Sequence, residues 1–135
     1  MLISNAPCSW GVGYPTGNKV GWRQYLDEVA AAGYKGTELG PFGYLPKDAD
    51  IVGEELARRN LTVVGATHVH TFADAATLPK LLADLREEGA ILTSLGAEHL
   101  VVMVPEAREW KAAQKVDLKP RALSAYRDNA VIYRS

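Results

Sequence analysis

Two kinds of hydrophobic spacing alternate along this chain. Short apolar runs typical of β-strands occupy residues 2–7, 37–40, 61–70 and 99–104. Apolar residues at helical spacing lie between them, at 20–32, from Asp48 or Asp50 to about Arg59, and from Asp74 to Gly96. Successive strand centres are roughly 30 residues apart, which is the length of a β-α-β unit. The pattern therefore predicts an α/β fold whose strands form a parallel sheet through right-handed crossovers.

Each predicted helix has one apolar stripe, which we expect to face the sheet. The stripe residues are Trp22, Leu26, Val29 and Ala30 on the first helix, Ile51, Val52, Leu56 and Ala57 on the second, and Leu78, Leu81, Leu82, Leu85, Ile91, Leu92 and Leu95 on the third. Gly89 lies within the third stripe, and glycine is a poor helix former. The third helix is therefore expected to be continuous or divided at this point.

The alternating pattern weakens after Pro105. Residues 106–119 are mostly polar, and residues 120–131 have apolar positions that fit one short helix. We interpret residues 1–104 as the β-α units. Residues 105–135 are interpreted as the loop after the fourth strand, with one candidate helix and a weakly patterned tail.

Composition and charge narrow the class of protein. The chain has 135 residues, 47% of them hydrophobic, and its 15 basic and 16 acidic side chains give a net charge of -1. Such a composition is typical of one globular domain and excludes a disordered chain. The sequence has no long run of basic residues, so neither a nucleic acid nor a membrane surface is expected as a partner.

The single cysteine, Cys8, indicates a reducing compartment, because no disulfide can form within the chain. The first residues lack the pattern of a secretory signal, and no window reaches the roughly 18 apolar residues of a membrane span. We therefore expect a cytoplasmic protein. No base lies near Cys8 in the sequence, so it is interpreted as a small buried hydrophobe rather than a nucleophile.

Polar side chains at the carboxyl ends of the predicted strands are the first candidates for chemistry, because ligands bind there in parallel α/β folds. His68 and His70 end the third strand, and their spacing of two directs both side chains to one face. Imidazole nitrogens bind divalent metals or transfer protons near neutral pH. The alternative is that one of the two is a hydrogen-bonded structural residue. His99 lies at the amino end of the fourth strand, and we interpret it as structural.

Glu38 lies in the short second strand among apolar and glycine neighbours. A carboxylate in such surroundings is a candidate general base, or a group held ionised by a cation or a metal. The alternative is a structural carboxylate that accepts hydrogen bonds from the backbone of the next loop. Trp10 follows the first strand, where its indole is expected either to form an apolar wall for a sugar ring or to pack in the core.

Two further motifs are weaker. Gly11, Gly13 and Gly17 follow the first strand, but their spacing and the intervening Pro15 differ from the dinucleotide-binding fingerprint. A His-x-His pair also occurs in amidohydrolase-like metal enzymes, where it is expected on the first strand rather than the third. Neither a dinucleotide site nor an amidohydrolase is therefore the favoured interpretation.

Three segments carry a resemblance to a known family. They are Asn-Ala-Pro-Cys-Ser-Trp-Gly at 5–11, Ala-Gly-Tyr-Lys-Gly-Thr-Glu-Leu-Gly-Pro-Phe-Gly-Tyr-Leu-Pro at 32–46, and Leu-Thr-Val-Val-Gly-Ala at 61–66. These segments are similar to inosose dehydratase and related sugar isomerases of the xylose-isomerase-like sugar phosphate isomerase/epimerase superfamily. The resemblance extends over residues 2–104.

The resemblance implies a (β/α)8 TIM barrel and an enzyme, either a lyase or an isomerase/epimerase, that acts on a polyol or keto sugar. It also implies a divalent metal (Mn, Co, Mg or Zn) in the full-length family, with ligands from the later strands. Trp10, Glu38 and either His68 or His70 are expected at the substrate end of the pocket, and Glu38, His68 and His70 are the catalytic candidates. Some relatives with nuclease activity bind metal through histidines after the third and fourth strands. Metal binding by His68 or His70 is therefore an alternative to a catalytic role.

The chain supplies about four β-α units, whereas a complete barrel takes roughly 250 residues. We therefore expect a partial barrel, the N-terminal half, without the later metal ligands. A truncated or frameshifted coding region, a fragment, or a half-barrel completed by another chain would each give this pattern. Open sheet edges favour pairing, so a homo-oligomer is an expected partner, and a non-catalytic half-barrel that assembles with another chain is the alternative function.

Overall fold

Four strands and three helices alternate along residues 2–70 and 75–104, which are the residues that the computed structural model describes. The strands are β1 (Ser4–Asn5), β2 (Gly36–Glu38), β3 (Thr62–Val69) and β4 (Leu100–Met103). The helices are α1 (Trp22–Ala31), α2 (Ala49–Ala57) and α3 (Leu78–Ser94). Short 3₁₀ turns occupy Pro7–Trp10 and Ala75–Thr77. The described residues belong to one unit, Met1–Val104, and the predicted helix and tail within 105–135 lie outside the described residues.

All strand pairs are parallel, and the strands lie in the order β1-β2-β3-β4. The predicted α/β class is therefore confirmed. In a doubly wound sheet the strand order reverses at a switch point, whereas the units of a (β/α)8 barrel follow one another around the sheet. The consecutive order is that of four successive barrel units, as expected for a half-barrel.

One irregularity in the β2–β3 pairing decides which side chains share a face. Thr37 pairs with Val63, but Glu38 pairs with Gly65, so Val64 is an extra residue on β3. Such a bulge shifts the alternation of the side chains that follow it. As a result both Val63 and Ala66, three residues apart, belong to the same core cluster. Side chains beyond the bulge point to the opposite face from the one that strict alternation predicts from Val63.

The three helices pack on one face of this sheet. A single apolar cluster joins Val63 and Ala66 of β3 to residues of all three helices: Leu26 and Val29 of α1, Val52 and Leu56 of α2, and Ile91 and Leu92 of α3. Burying an aliphatic side chain of this size contributes roughly 1.5–3 kcal/mol. The opposite face of the sheet carries no described helix.

Tyr25 is the largest fully buried side chain of α1, although the predicted stripe did not contain it. Trp22 and Ala30 of that stripe are partly buried against the core. The Tyr25 hydroxyl lies 2.6 Å from Thr37 Oγ1 and 3.3 Å from the carbonyl oxygen of Asn5. A buried tyrosine is stable where its hydroxyl finds such a partner. Tyr25 thus links α1 to both β1 and β2.

Asp48 caps α2, which decides between the two predicted caps. Its carboxylate accepts hydrogen bonds from the backbone N–H groups of Asp50 and Ile51, at 3.0 and 3.1 Å. The predicted stripe of α2 is wrong at Ile51 and Ala57, which are exposed. Glu55 is buried instead, because Arg59 donates to Glu55 Oε2 at 2.6 Å and neutralises it.

The third helix begins later than predicted. A 3₁₀ turn precedes it, Thr77 occupies its N-cap position, and Asp74 lies outside the described residues. Gly89 does not divide the helix, which continues for 17 residues. The predicted stripe is wrong at Leu78 and Leu82, which are exposed. Glu88 of the same helix is buried.

Gly40 holds the chain that leaves β2 against the turn that leaves β1. Its φ is +75°, and a Cβ atom placed there would lie 2.6 Å from Pro7 Cγ. Only glycine combines a left-handed backbone with so close an approach at little cost. Gly40 therefore fixes the path of the β2–α2 loop.

Hydrophobic side chains of β3 and β4 remain exposed on the face without helices. Val69 and Met103 are register partners, with exposed fractions of 48% and 46%, and Val101, two residues before Met103, is 51% exposed. Within residues 2–70 and 75–104, β4 pairs with β3 alone.

In the same part of the chain, no helix is long and apolar enough to span a bilayer.

Candidate active site

Glu38 is the last residue of β2, at the carboxyl end of the sheet. Its Oε2 accepts a hydrogen bond from Thr67 Oγ1 of β3 at 3.0 Å, and its side chain is half-buried. Thr67 follows Ala66 and precedes His68, and both of these face the helices. Glu38 and Thr67 therefore lie together on the face without helices. A carboxylate held by one hydroxyl at a strand end can accept a proton from a bound molecule.

His68 lies on the helix-covered face of β3 and is buried. Its Nδ1 is 2.8 Å from Oε2 of Glu88 in α3. The aromatic ring of Phe42, in the β2–α2 loop, has its centroid 6.0 Å from that of His68. His68 is therefore held between α3 and this loop, on the other side of the sheet from Glu38.

Glu88 was missed by the sequence interpretation. It is completely buried, and its Oε1 has no hydrogen-bond partner within the part of the chain that the structure describes. Burial raises the pKa of the Glu88 carboxyl, and the hydrogen bond to His68 opposes that rise. One signal was available: Leu81, Leu85 and Leu92 are seven, three and four residues from Glu88, which places the glutamate on the apolar stripe of α3.

His70 follows β3 and lies next to His68, with 6.5 Å between the two ring centroids. Its Nε2 is 3.0 Å from Thr77 Oγ1, in the turn before α3. The structure thus brings the two histidines together, as their spacing predicts. The role of either one in catalysis or metal binding stays a prediction.

Trp10 ends the 3₁₀ turn after β1. Its Nε1 donates to Glu28 Oε2 at 2.6 Å, and its ring meets that of Tyr25 edge-on, with centroids 5.1 Å apart. Among the described residues, no hydrogen bond or ring contact joins Trp10 to Glu38, His68 or His70. Its contacts fix the turn to α1.

Cys8, in the same turn as Trp10, is exposed, so its interpretation as a buried hydrophobe is wrong. The turn directs this side chain outward while Pro7 is buried.

His99, which is interpreted from the sequence as structural, precedes β4. Its carbonyl oxygen accepts a hydrogen bond from the backbone N–H of Ala66 at 3.1 Å, and this bond joins β3 to the start of β4.

Glu38, His68 and His70, which were predicted, and Thr67 and Glu88, which were not, therefore form two clusters. Glu38 and Thr67 lie on the open face of the sheet, whereas His68, Glu88 and His70 lie on the side covered by α3. The described residues do not fit the metal that the resemblance implies: in 2–70 and 75–104, no three His, Cys, Asp or Glu side chains are grouped closely enough to bind one ion.

Comparison with known proteins yields no family model and no curated protein that matches the chain. Among solved structures, the chain is similar to an AP endonuclease, family 2, from Brucella melitensis, with 19% identity and a TM-score of 0.48. It is also similar to a xylose isomerase domain protein from Alicyclobacillus acidocaldarius subsp. acidocaldarius, with 23% identity and a TM-score of 0.48. The alignments cover 74% and 64% of this chain but only 40% and 33% of those structures.

Proposed function

We propose that this chain forms the N-terminal β-α units of a barrel enzyme that acts on a polyol or keto sugar. The reaction is that of an inosose dehydratase-like lyase or of a sugar phosphate isomerase/epimerase, and the location is cytoplasmic. The observation that carries the proposal is the hydrogen-bonded pair of Glu38 and Thr67. It lies at the carboxyl end of two adjacent parallel strands, on the face without helices. Substrates bind at this end in parallel α/β enzymes.

In the proposed reaction, Glu38 is the general base. Its carboxylate removes the proton from the carbon beside the substrate carbonyl, and the electron pair of that C–H bond forms the enolate. In a dehydration, the enolate re-forms the carbonyl, the C–O bond of the next carbon breaks, and the departing hydroxide takes the proton from the Glu38 carboxyl and leaves as water. In an epimerisation the proton returns to the opposite face of the same carbon, and in an isomerisation it is delivered to the former carbonyl carbon. Thr67 holds one carboxylate oxygen by its 3.0 Å hydrogen bond and so orients the other toward the substrate.

A divalent metal (Mn, Co, Mg or Zn) belongs to this proposal only for the complete protein. When bound, such an ion would polarise the substrate carbonyl. Because the described residues do not group three ligands, we assign no step of the reaction to a metal held by them.

The test is turnover of an inosose and of a ketose by the purified chain, with Mn²⁺ or Co²⁺ in the buffer. We expect Glu38→Gln to lower kcat by about 100-fold or more, the usual contribution of a general base. Glu54→Gln, which changes an exposed glutamate of α2, is the matched control and should leave turnover unchanged. Equal turnover by Glu38→Gln and the wild type, or an inactive wild type that also binds neither sugar, would contradict the proposal.

The exposed apolar face of β3 and β4 favours a second candidate, a non-catalytic half-barrel that assembles with another copy or another chain. Exposed apolar patches and open edges promote such pairing. Light scattering distinguishes the two. A stable oligomer that Val101→Lys dissociates, together with no sugar or metal binding, would favour the assembly module. A stable monomer would remove its main support.

A further inference from the structure

A buried pair of titratable groups, His68 and Glu88, lies on the helix-covered face and has no part in the function proposed above. Their side chains are 8% and 1% exposed, and 2.8 Å separates Nδ1 from Oε2. A buried carboxylate without a charged or hydrogen-bonding partner is strongly unfavourable. His68 is the one described group that hydrogen-bonds to Glu88.

The surroundings of the pair offer little other compensation. The cavity beside Glu88 has a volume of only about 10 Å³. Its lining includes Phe42, Pro46, Lys47 and Ile91. This volume is about that of the smallest cavity that holds one water molecule. The Lys47 ammonium that borders it is engaged by Glu87 on the surface, at 3.0 Å.

Three other titratable groups face the pair, from each element packed against it. Asp84 on α3 interacts electrostatically with both His68 and Glu88, and Lys47 interacts with Glu88 from the β2–α2 loop. His70 lies beside His68 after β3. The negative charge of Asp84 raises the pKa of the Glu88 carboxyl, whereas the positive charge of Lys47 lowers it.

We propose that His68 and Glu88 form a buried acid–base pair in which Glu88 is the positioning residue. At neutral pH its Oε2 accepts the Nδ1–H of His68, so the hydrogen of the neutral imidazole is held on Nδ1 and the lone pair of Nε2 is left as an acceptor. Glu88 thus fixes one tautomer of His68 beneath the carboxyl end of β3, and this role does not depend on the sugar reaction.

The tautomer of His68 tests the proposal directly, because the partner of one ring nitrogen sets which nitrogen carries hydrogen. The chain has 3 histidines, so ¹⁵N-histidine labelling and long-range ¹H–¹⁵N correlation spectra report each ring, with His68→Gln used for assignment. At neutral pH, we expect the Nδ1 signal of His68 to be that of a protonated nitrogen and the Nε2 signal to be that of an unprotonated one.

Glu88→Met removes the carboxylate acceptor and replaces it with an apolar side chain of similar length. We expect it to shift neutral His68 mainly to the Nε2–H tautomer that a histidine side chain without a partner prefers. Glu54→Met, at an exposed glutamate of α2, is the control and should leave the His68 signals unchanged. A wild-type His68 that keeps its hydrogen on Nε2 while Nδ1 is unprotonated would overturn the proposal, even if the Glu88 variant fails to fold. An unchanged tautomer in folded Glu88→Met would overturn it as well.

Discussion

The hydrogen bond between Tyr25 and Thr37 provides a quantitative test of how the fold supports Glu38. The Tyr25 hydroxyl lies 2.6 Å from Thr37 Oγ1, and Thr37 Oγ1 lies 2.9 Å from the backbone carbonyl oxygen of Glu38. Both side chains are fully buried. Burial raises the pKa of the Tyr25 phenol, so the hydroxyl stays protonated at every pH at which the protein is handled.

The expected magnitude follows from these contacts. Tyr25→Phe removes the hydroxyl partner of Thr37 and a longer contact with the carbonyl of Asn5, but the Thr37 hydroxyl keeps the Glu38 carbonyl as an acceptor. We therefore expect a loss of about 1–2 kcal/mol in the free energy of unfolding. For a chain of 135 residues, each kcal/mol lowers Tm by about 4 °C.

A double-mutant cycle isolates the bond. We would measure urea unfolding of the wild type, Tyr25→Phe, Thr37→Val and the double variant. The bond is lost in either single variant, and the second change cannot lose it again, so the coupling energy should be about 1 kcal/mol. Tyr14→Phe, at a tyrosine that is 74% exposed, is the control and should cost less than about 0.5 kcal/mol. A coupling energy near zero, or equal losses for Tyr25→Phe and Tyr14→Phe, would refute this reasoning.

Two further predictions concern the loop and the buried carboxyl. Gly40→Ala should destabilise the fold by at least about 1 kcal/mol, since a left-handed backbone alone costs an alanine about that much and its Cβ would approach Pro7 Cγ to 2.6 Å. Gly13→Ala, where an added Cβ meets no atom within 4 Å, is the control, and equal losses would contradict the prediction. For Glu88, the pKa is raised above 4.5 by burial, so the folded state holds its proton more tightly than the unfolded state. The stability that this contributes is complete below pH 4.5 and is lost as pH rises through the folded-state pKa. Urea unfolding should therefore show wild type losing stability relative to Glu88→Gln as pH rises from about 4.5 to neutrality, and a pH-independent difference would count against it.

The regular elements were predictable because each has a strong local signal. The apolar run that became β3 and the Asp48 cap of α2 depend on neighbouring residues alone. Strand order was also accessible, since consecutive β-α units with right-handed crossovers leave few alternatives. The sequence thus predicted the sheet and the end of it at which Glu38 lies.

The relation between the candidate residues was not predictable in the same way. The extra residue Val64 on β3 depends on the register with β2, which no local pattern encodes. It decides that Glu38 and His68 lie on opposite faces. No prediction from the sequence covers Glu55 or Glu88, and charged residues rarely lie in a core. Their partners, Arg59 and His68, come from pairing that appears only once the chain is folded.

The proposed site at the carboxyl end of β2 and β3 is tested most directly by mapping where a sugar binds. ¹H–¹⁵N correlation spectra of the labelled wild-type chain, titrated with an inosose and then a ketose, report every assigned backbone amide. We expect saturable shifts centred on the amides of Glu38 and Thr67, and their loss in Glu38→Gln. Shifts centred on the helix-covered face, or no saturable shift with either sugar, would contradict the proposed function.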